Sequence, residues 1–193
     1  MTVVVISDVH THSPGGFTLI ELMVALAVLS ILLMVAAPAF RDLIMDNKLL
    51  SESYAMRATL NNARSEALAQ RMPVTVCGST DGDTCRSSDQ EDWSDGYIAF
   101  TDRDQDAVPD DPNTINGDMI FIAREVDADL EIDFVKEGPG ADVIVRFDSR
   151  GHARSNYGYF RFCDERGASK MKALGVSIVG VVGAKKTASL DCP

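Results

Sequence analysis

Basic residues are scarce in this chain, and none of its 18 lysines and arginines precedes Arg41. The 29 acidic residues outnumber them and give a formal net charge of −11. Because phosphate backbones repel a strongly acidic chain, this balance argues against generic nucleic-acid binding. The charge is uneven: residues 78–145 hold nineteen acidic and four basic residues, whereas residues 146–193 hold four and nine. This pattern predicts either two oppositely charged surfaces or solvated acidic loops followed by scattered surface lysines.

Motifs that carry catalysis are also lacking. The chain has no G-x-S-x-G elbow, phosphate-binding loop or H-E-x-x-H helix, and only one of its three histidines, His152, follows residue 12. No C-x-x-C pair is present, which excludes the common spacings of zinc sites. We therefore predict a protein that is not an enzyme and needs no cofactor.

Only four cysteines occur, at positions 77, 85, 163 and 192. An even number beyond a membrane-crossing segment indicates disulfides in an oxidising compartment, and reduced, buried thiols are the alternative. Four cysteines allow three pairings. The local pairing, Cys77 with Cys85 and Cys163 with Cys192, closes two modest loops and is the one we favour.

One long apolar run is present, over residues 17–37, and its single charged residue is Glu21. Three interpretations compete for it. About 20 apolar residues suffice to cross a bilayer, so a membrane-spanning helix fits. A removable secretory signal, with Ala37-Pro38-Ala39 as the cleavage site, fits less well because the run is too long and no basic residue precedes it. A buried core helix is disfavoured because the segment is apolar on every side.

The carboxylate of Glu21 needs a partner in such a segment, because a charge in hydrocarbon is costly. Cleavage between Gly16 and Phe17 would create an α-amine one helical turn from Glu21. This amine could pair with Glu21 of the same chain or of a neighbouring chain. In the second case the pair would set one helix against the next during assembly.

The stretch "GGFTLIELMVALAVL" resembles the class III prepilin signature of type IV pilins and type II secretion pseudopilins. The resemblance implies that residues 1–16 are a leader peptide and that prepilin peptidase cuts after Gly16. It also implies methylation of the new amine of Phe17 and makes Glu21 the glutamate used in filament assembly. The leader departs from the family because it lacks Lys and Arg, so the positive-inside rule gives no support for a cytoplasmic N-terminus.

Beyond the apolar run, residues 38–72 have the composition of an amphipathic helix, which Pro73 ends. Its apolar face is predicted to contain five residues: Phe40, Leu43, Ile44, Leu50 and Tyr54. Short β-type runs separated by Gly, Asp, Asn and Pro fill residues 73–193, namely "PVTVC", "GYIAFTD", "MIFIA", "LEIDF", "VIVRFD", "YGYFRFC" and "LGVSIVGVV". We predict an α+β fold in which a long N-terminal helix packs on an antiparallel β-sheet head.

Two further stretches, "NNARSEALAQRMPVTVC" and "WSDGYIAFTDRDQD", resemble the GspH/FimT group of minor pilins and pseudopilins, which includes FimU-like proteins. The resemblance implies a minor pilin of a type IV pilus, at the tip or in priming, with an H-type pseudopilin of type II secretion as the alternative. The implied partners are other pilins, prepilin peptidase and inner-membrane lipid. The implied location is the inner membrane with a periplasmic head, and an extracellular filament after assembly.

Two weaker hypotheses concern ligands. Asp102, Asp104 and Asp106 alternate as in a calcium loop, but an EF-hand frame expects Gly at 107 and Glu at 113, where this chain has Ala and Asn; a solvated acidic loop is the simpler interpretation. Some FimT-like proteins take up DNA through a basic C-terminal motif, and the candidate residues here are Lys185, Lys186, Arg150 and Arg154. Such phosphate contacts would give salt-sensitive, sequence-independent binding.

Overall fold

A computed structural model describes residues 16–87, 90–114, 117–140, 142–187 and 190–192. The rest of the predicted leader, residues 1–15, lies outside this part of the chain. The chain divides into two units, the first ending at Asp42 and the second beginning at Leu43.

The regular structure of the described residues consists of one α-helix, eight strands and a short 3₁₀ turn at Gly167–Ser169. Helix α1 spans Leu19–Gln70 and continues through Pro38. It ends where Arg71 takes a left-handed conformation (φ 55°) two residues before Pro73, a common way for a helix to stop. The strands are β1 (Val74–Gly78), β2 (Gly96–Thr101), β3 (Ile120–Glu125), β4 (Glu131–Lys136), β5 (Val145–Phe147), β6 (Gly158–Cys163), β7 (Lys172–Val176) and β8 (Val182–Ala184).

The strands form two four-stranded antiparallel sheets, ordered β3-β2-β1-β5 and β4-β6-β7-β8. The segment that precedes β2 bridges to the other sheet, because Asp92 pairs with Asp133 of β4. Next to this bridge, the buried Trp93 packs on Phe160 and Phe134, at ring-centroid distances of 5.0 and 5.8 Å. These aromatic residues belong to a core to which both sheets and α1 contribute. The predicted α+β class is confirmed.

The last predicted β run, "LGVSIVGVV", is two strands in the structure. The hydroxyl oxygen of Ser177 accepts the amide N–H of Val181, and the carbonyl oxygen of Ser177 accepts the amide N–H of Gly180. The chain therefore turns back on itself. Gly180 has a φ of +75°, which favours glycine, and its Cα lies so close to Gly151 that an added Cβ would be 1.9 Å from the carbonyl oxygen of Gly151. The turn leaves the apolar side chains of Ile178 and Val179 half exposed.

The apolar face predicted for residues 38–72 is not the face that packs on the sheets. The residues of α1 that are buried are Leu49, Glu52, Met56, Thr59, Leu60, Ala63 and Ala67. Apart from the adjacent Thr59 and Leu60, they recur every three or four residues, so they form one stripe, but four of them are small or polar. The predicted face is instead exposed, with 65% of Phe40 and 59% of Tyr54 accessible. Side-chain size did not reveal which face packs on the sheets. Close packing against the sheets uses alanines, and a partner in the head satisfies the acidic residue of the stripe, Glu52.

That partner is Arg124 on β3. It donates from Nη2 to Glu52 Oε2 (2.8 Å) and from Nε to Oε1 (3.1 Å), so the carboxylate is held in a two-pronged contact. The hydroxyl of the fully buried Tyr97 on β2 also donates to Oε1, at 3.0 Å. Burial, followed by the neighbouring charge of Glu52, raises the pKa of Tyr97. This network fixes the rotation of residues 43–70 of the helix against the first sheet.

Candidate functional site: the N-terminal helix and the predicted ligand residues

The predicted cleavage point lies immediately before α1. Gly16 and Phe17 are exposed and non-helical, and Thr18 is the residue before the first helical position. Thr18 Oγ1 accepts the backbone N–H of Glu21 at 3.3 Å, and its carbonyl accepts the N–H of Leu22 at 3.2 Å. Threonine at the N-cap with glutamate three residues later is the residue pattern of a capping box, which defines where a helix begins. Cleavage after Gly16 would therefore leave a two-residue stub and an intact helix start.

The first half of α1 is exposed along its whole length. Every residue from 16 to 44 is exposed, including all the large apolar side chains of the predicted membrane segment. The segment is long and apolar enough to cross a membrane, and none of its apolar window is buried. Soluble monomers rarely expose an apolar surface of this extent.

Glu21 is the one charged residue in the apolar run of residues 17–37. Its position in the first helical turn is favourable, because the helix dipole places positive partial charge there. The nearest lysine or arginine along the chain is Arg41, and within the described residues no cation forms an ion pair with Glu21. The carboxylate is therefore available to a partner from outside the described chain.

The two disulfides in the structure are Cys77–Cys85 and Cys163–Cys192, the pairing that the sequence favoured. The first closes a short loop after β1. The second ties the end of β6 to the C-terminal segment, across 29 residues. Both lie in the head, and each joins a strand residue, Cys77 on β1 or Cys163 on β6, to a cysteine outside the strands.

The candidate DNA-binding residues belong to two segments. Arg150 and Arg154 lie in the loop before β6, which contacts the turn that leads into β8, whereas Lys185 and Lys186 follow the far end of β8. Lys185 is already engaged, since its Nζ lies 2.5 Å from Glu137 Oε1 and 3.9 Å above the ring of Tyr159. Arg150, Arg154 and Lys186 are exposed.

The predicted calcium residues do come together. Asp102, Asp104 and Asp106 each present a carboxylate oxygen within 4.8 Å of the others. Asp102 is fully buried, and the other two are exposed. Three more carboxylates, those of Asp110, Asp111 and Asp118, belong to the same loop. Burial, followed by the charges of Asp104 and Asp106, raises the pKa of Asp110, and burial raises the pKa of Asp118.

Sequence reasoning missed Glu52 as the residue that joins helix and head. The available signal was its position at the i,i+4 spacing of Met56 and Leu60, where an acidic residue requires a buried partner. Identifying Arg124 and Tyr97 as its partners requires the three-dimensional structure, because they lie 72 and 45 residues away along the chain.

Comparisons with known proteins agree with this geometry. The family model of the type II transport protein GspH matches residues 53–180, and that of the prokaryotic N-terminal methylation motif matches residues 12–37. No curated protein matches the chain in a sequence search.

Among solved structures, the type IV minor pilin FimU of Pseudomonas aeruginosa is similar, at 19% identity with a TM-score of 0.50, over 74% of this chain and 92% of that one. The minor pseudopilin EpsH of the Type 2 Secretion System of Vibrio cholerae matches at 10% identity with a TM-score of 0.46, over 74% and 99%. The likeness to FimU shows a shared fold. The family models cover most of the chain, and this protein therefore belongs to the GspH family and carries the N-terminal methylation motif of pilins and pseudopilins.

Proposed function

We propose that this chain is a minor subunit of a pilin-type filament that assembles through its N-terminal helix, near the filament tip or during priming. The observation that carries the proposal is the helix surface itself: twenty-nine consecutive residues, 16–44, are exposed, and most of them are apolar. Such a surface is stable in only two settings, the bilayer and a bundle of similar helices. A subunit that leaves the bilayer and joins a bundle of pilin helices would have this surface covered in both places.

Processing follows from the same residues. The methylation motif and the exposed Gly16–Phe17 bond support cleavage by prepilin peptidase and methylation at Phe17. The apolar helix and the motif fit anchoring in the inner membrane, with the head in the periplasm. Disulfides in the head agree with an oxidising compartment.

Glu21 would act during docking. Its carboxylate would pair with the α-amine of a neighbouring subunit, an attraction that is strong only where water is excluded. Apolar packing between helices in lipid is poorly directional, because lipid tails are as apolar as leucine. A single ion pair near the start of each helix would therefore define the axial position of the incoming subunit.

Glu21→Gln tests this role. Glutamine retains the residue pattern of the capping box, so the helix start is preserved while the charge is removed. We expect normal membrane insertion and cleavage but at least tenfold less variant among the subunits that co-purify with the other pilins; Glu21→Ala should behave in the same way. The matched control is Ser30→Ala, which removes a polar group from the same helix whose hydroxyl only donates to the carbonyl of Ala27. Normal incorporation of Glu21→Gln would contradict the proposed role.

A type IV pilus and a type II secretion system differ in the partners of this subunit. Deletion of the chain and of its neighbouring pilin genes, scored for surface pili and for secreted protein, separates the two. Loss of pili alone supports the pilus assignment that we favour from the sequence. Loss of secretion with pili intact supports the H-type pseudopilin.

A further inference from the structure

The loop that follows β2 gathers six carboxylates. They belong to Asp102, Asp104, Asp106, Asp110, Asp111 and Asp118, and the side chains of Asp102 and Asp118 are almost inaccessible to solvent. Like charges held close together destabilise a fold unless something neutralises them. Arg146 supplies one positive charge, to Asp102 alone. The remaining negative charge is unexplained by the ion pairs of the described residues.

The distances among three of these carboxylates suit a calcium ion. One oxygen from each of Asp102, Asp104 and Asp106 lies within 4.8 Å of the others. Calcium–oxygen distances are about 2.3–2.6 Å, so oxygens on opposite sides of the ion are about 5 Å apart, and neighbouring ligands are closer. The three oxygens can therefore contact one ion without a change of backbone.

Asp102 provides the second, independent observation. Its Oδ2 accepts two hydrogen bonds, from the Thr75 hydroxyl and from Arg146 Nε at 3.0 Å, and Arg146 Nη2 lies 2.9 Å away in an ion pair. Its Oδ1 is buried and accepts no hydrogen bond within the described chain. A buried, unpartnered carboxylate oxygen costs free energy, and a cation held between Asp102 and the two aspartates beside it would satisfy it.

The backbone of the loop removes one of the two sequence arguments against calcium, the alanine at position 107; the other, Asn113 in place of Glu, stands. Asp102, Asp104 and Asp106 occupy alternating positions, and position 107 follows them where an EF-hand loop needs a glycine for its sharp turn. Ala107 nevertheless adopts the left-handed conformation there, with a φ of 65°. Its side chain is buried in a small apolar cluster with Ile98, Phe100 and Ile144, which holds this strained residue in place.

We propose that this loop binds one calcium ion through Asp102, Asp104 and Asp106. Magnesium fits less well, because it demands near-ideal octahedral geometry at about 2.0–2.1 Å and gives up its water reluctantly. The ion would hold the loop against the end of β2 and offset repulsion among the six carboxylates. The inference is independent of the proposed assembly function, since every ligand lies in the head.

The test is thermal unfolding of the full-length chain in detergent micelles, in EDTA and in 10 mM CaCl₂ or MgCl₂, combined with calorimetric titration of CaCl₂. Extracellular calcium modules have Kd values of about 10⁻⁴–10⁻³ M. With a Kd near 10⁻⁴ M, 10 mM calcium should raise the Tm of the wild-type chain by about 5–10 °C. Magnesium should raise it by much less.

The informative variant is Asp104→Asn/Asp106→Asn, which changes two exposed side chains and leaves the Asp102–Arg146 pair intact. We expect it to be at least as stable as wild type in EDTA, because repulsion is relieved, and to lose the calcium-dependent rise in Tm. The matched control, Asp83→Asn/Glu91→Gln, removes two exposed charges elsewhere in the acidic region and should keep the full calcium response. Absence of a calcium response in wild type, or its persistence in the Asp104→Asn/Asp106→Asn variant, would overturn the proposal.

Discussion

The contact of Glu52 with the head gives the sharpest test of how the helix is held, and Glu52→Ala is the perturbation. The Glu52 side chain is 6% exposed, whereas that of Arg124 is 41% exposed. After the substitution Arg124 can turn toward water, so the full penalty of about 3–5 kcal/mol for breaking a buried pair does not apply. The substitution removes two charge-assisted hydrogen bonds from Arg124 and the acceptor of the buried Tyr97 hydroxyl. Each of these hydrogen bonds contributes about 1–3 kcal/mol, and the contributions are not additive. We expect the free energy of unfolding to fall by about 2–4 kcal/mol.

The assay is urea unfolding of the full chain in micelles, followed by tryptophan fluorescence, because the single Trp93 lies in the core of the head. The midpoint should fall with an unchanged slope, since the surface exposed on unfolding is the same. The matched control is Glu66→Ala on the same helix. The Glu66 carboxylate accepts from Gln70 one turn away, a contact of about 0.2–0.5 kcal/mol.

A double-mutant cycle with Arg124→Ala isolates the pair itself. We expect a coupling energy of about 1–3 kcal/mol between Glu52 and Arg124. A Glu52→Ala variant within about 0.5 kcal/mol of wild type would refute the reasoning, because that is the range of a surface substitution.

Two further predictions concern the head. The pKa of Asp133 is raised to about 6, first by burial, from an ordinary 3.8, so the folded chain retains a proton that the unfolded chain releases. The free energy of unfolding should therefore fall by up to about 3 kcal/mol as pH rises from 4 to 7. Asp133→Asn should remove this part of the pH dependence in parallel urea titrations. An identical pH profile in the variant would contradict the assignment. Replacing Cys163 and Cys192 together by serine opens a loop of 29 residues. By the loop-entropy relation this should lower the free energy of unfolding by about 3–4 kcal/mol, measured as a lower urea midpoint. No change in the midpoint would show that the bridge does not constrain the unfolded chain.

Local patterns predicted the elements of this fold well. The helix and the strands β1 to β6 were visible because each strand is a short apolar run between turn residues, such as Gly96–Thr101 after "WSD". The last run was misjudged, because Ser177 and Gly180 form a turn inside an otherwise continuous apolar stretch. The assignment of strands to two sheets could not be predicted, since pairings such as β1 with β5 join residues about 70 positions apart.

The choice of helix face failed for a different reason. Periodicity identifies which residues share a face but not which face is covered when two apolar surfaces compete. Leu43 and Ile44 continue the exposed apolar surface of the N-terminal half, whereas Ala63 and Ala67 let the strands approach closely. Family membership was predictable because the N-terminal motif and the junction of α1 with β1 are local signatures that need no tertiary information.

The central claim is that this chain is processed as a prepilin and then assembles with other pilins. Mass spectrometry of the N-terminal peptide, from the fraction of the chain that co-purifies with other pilin subunits, tests it most directly. The account predicts a peptide that begins at Phe17 and carries one methyl group on its α-amine. A co-purifying chain that retains residues 1–16, or that has been cut after Ala39, would contradict it.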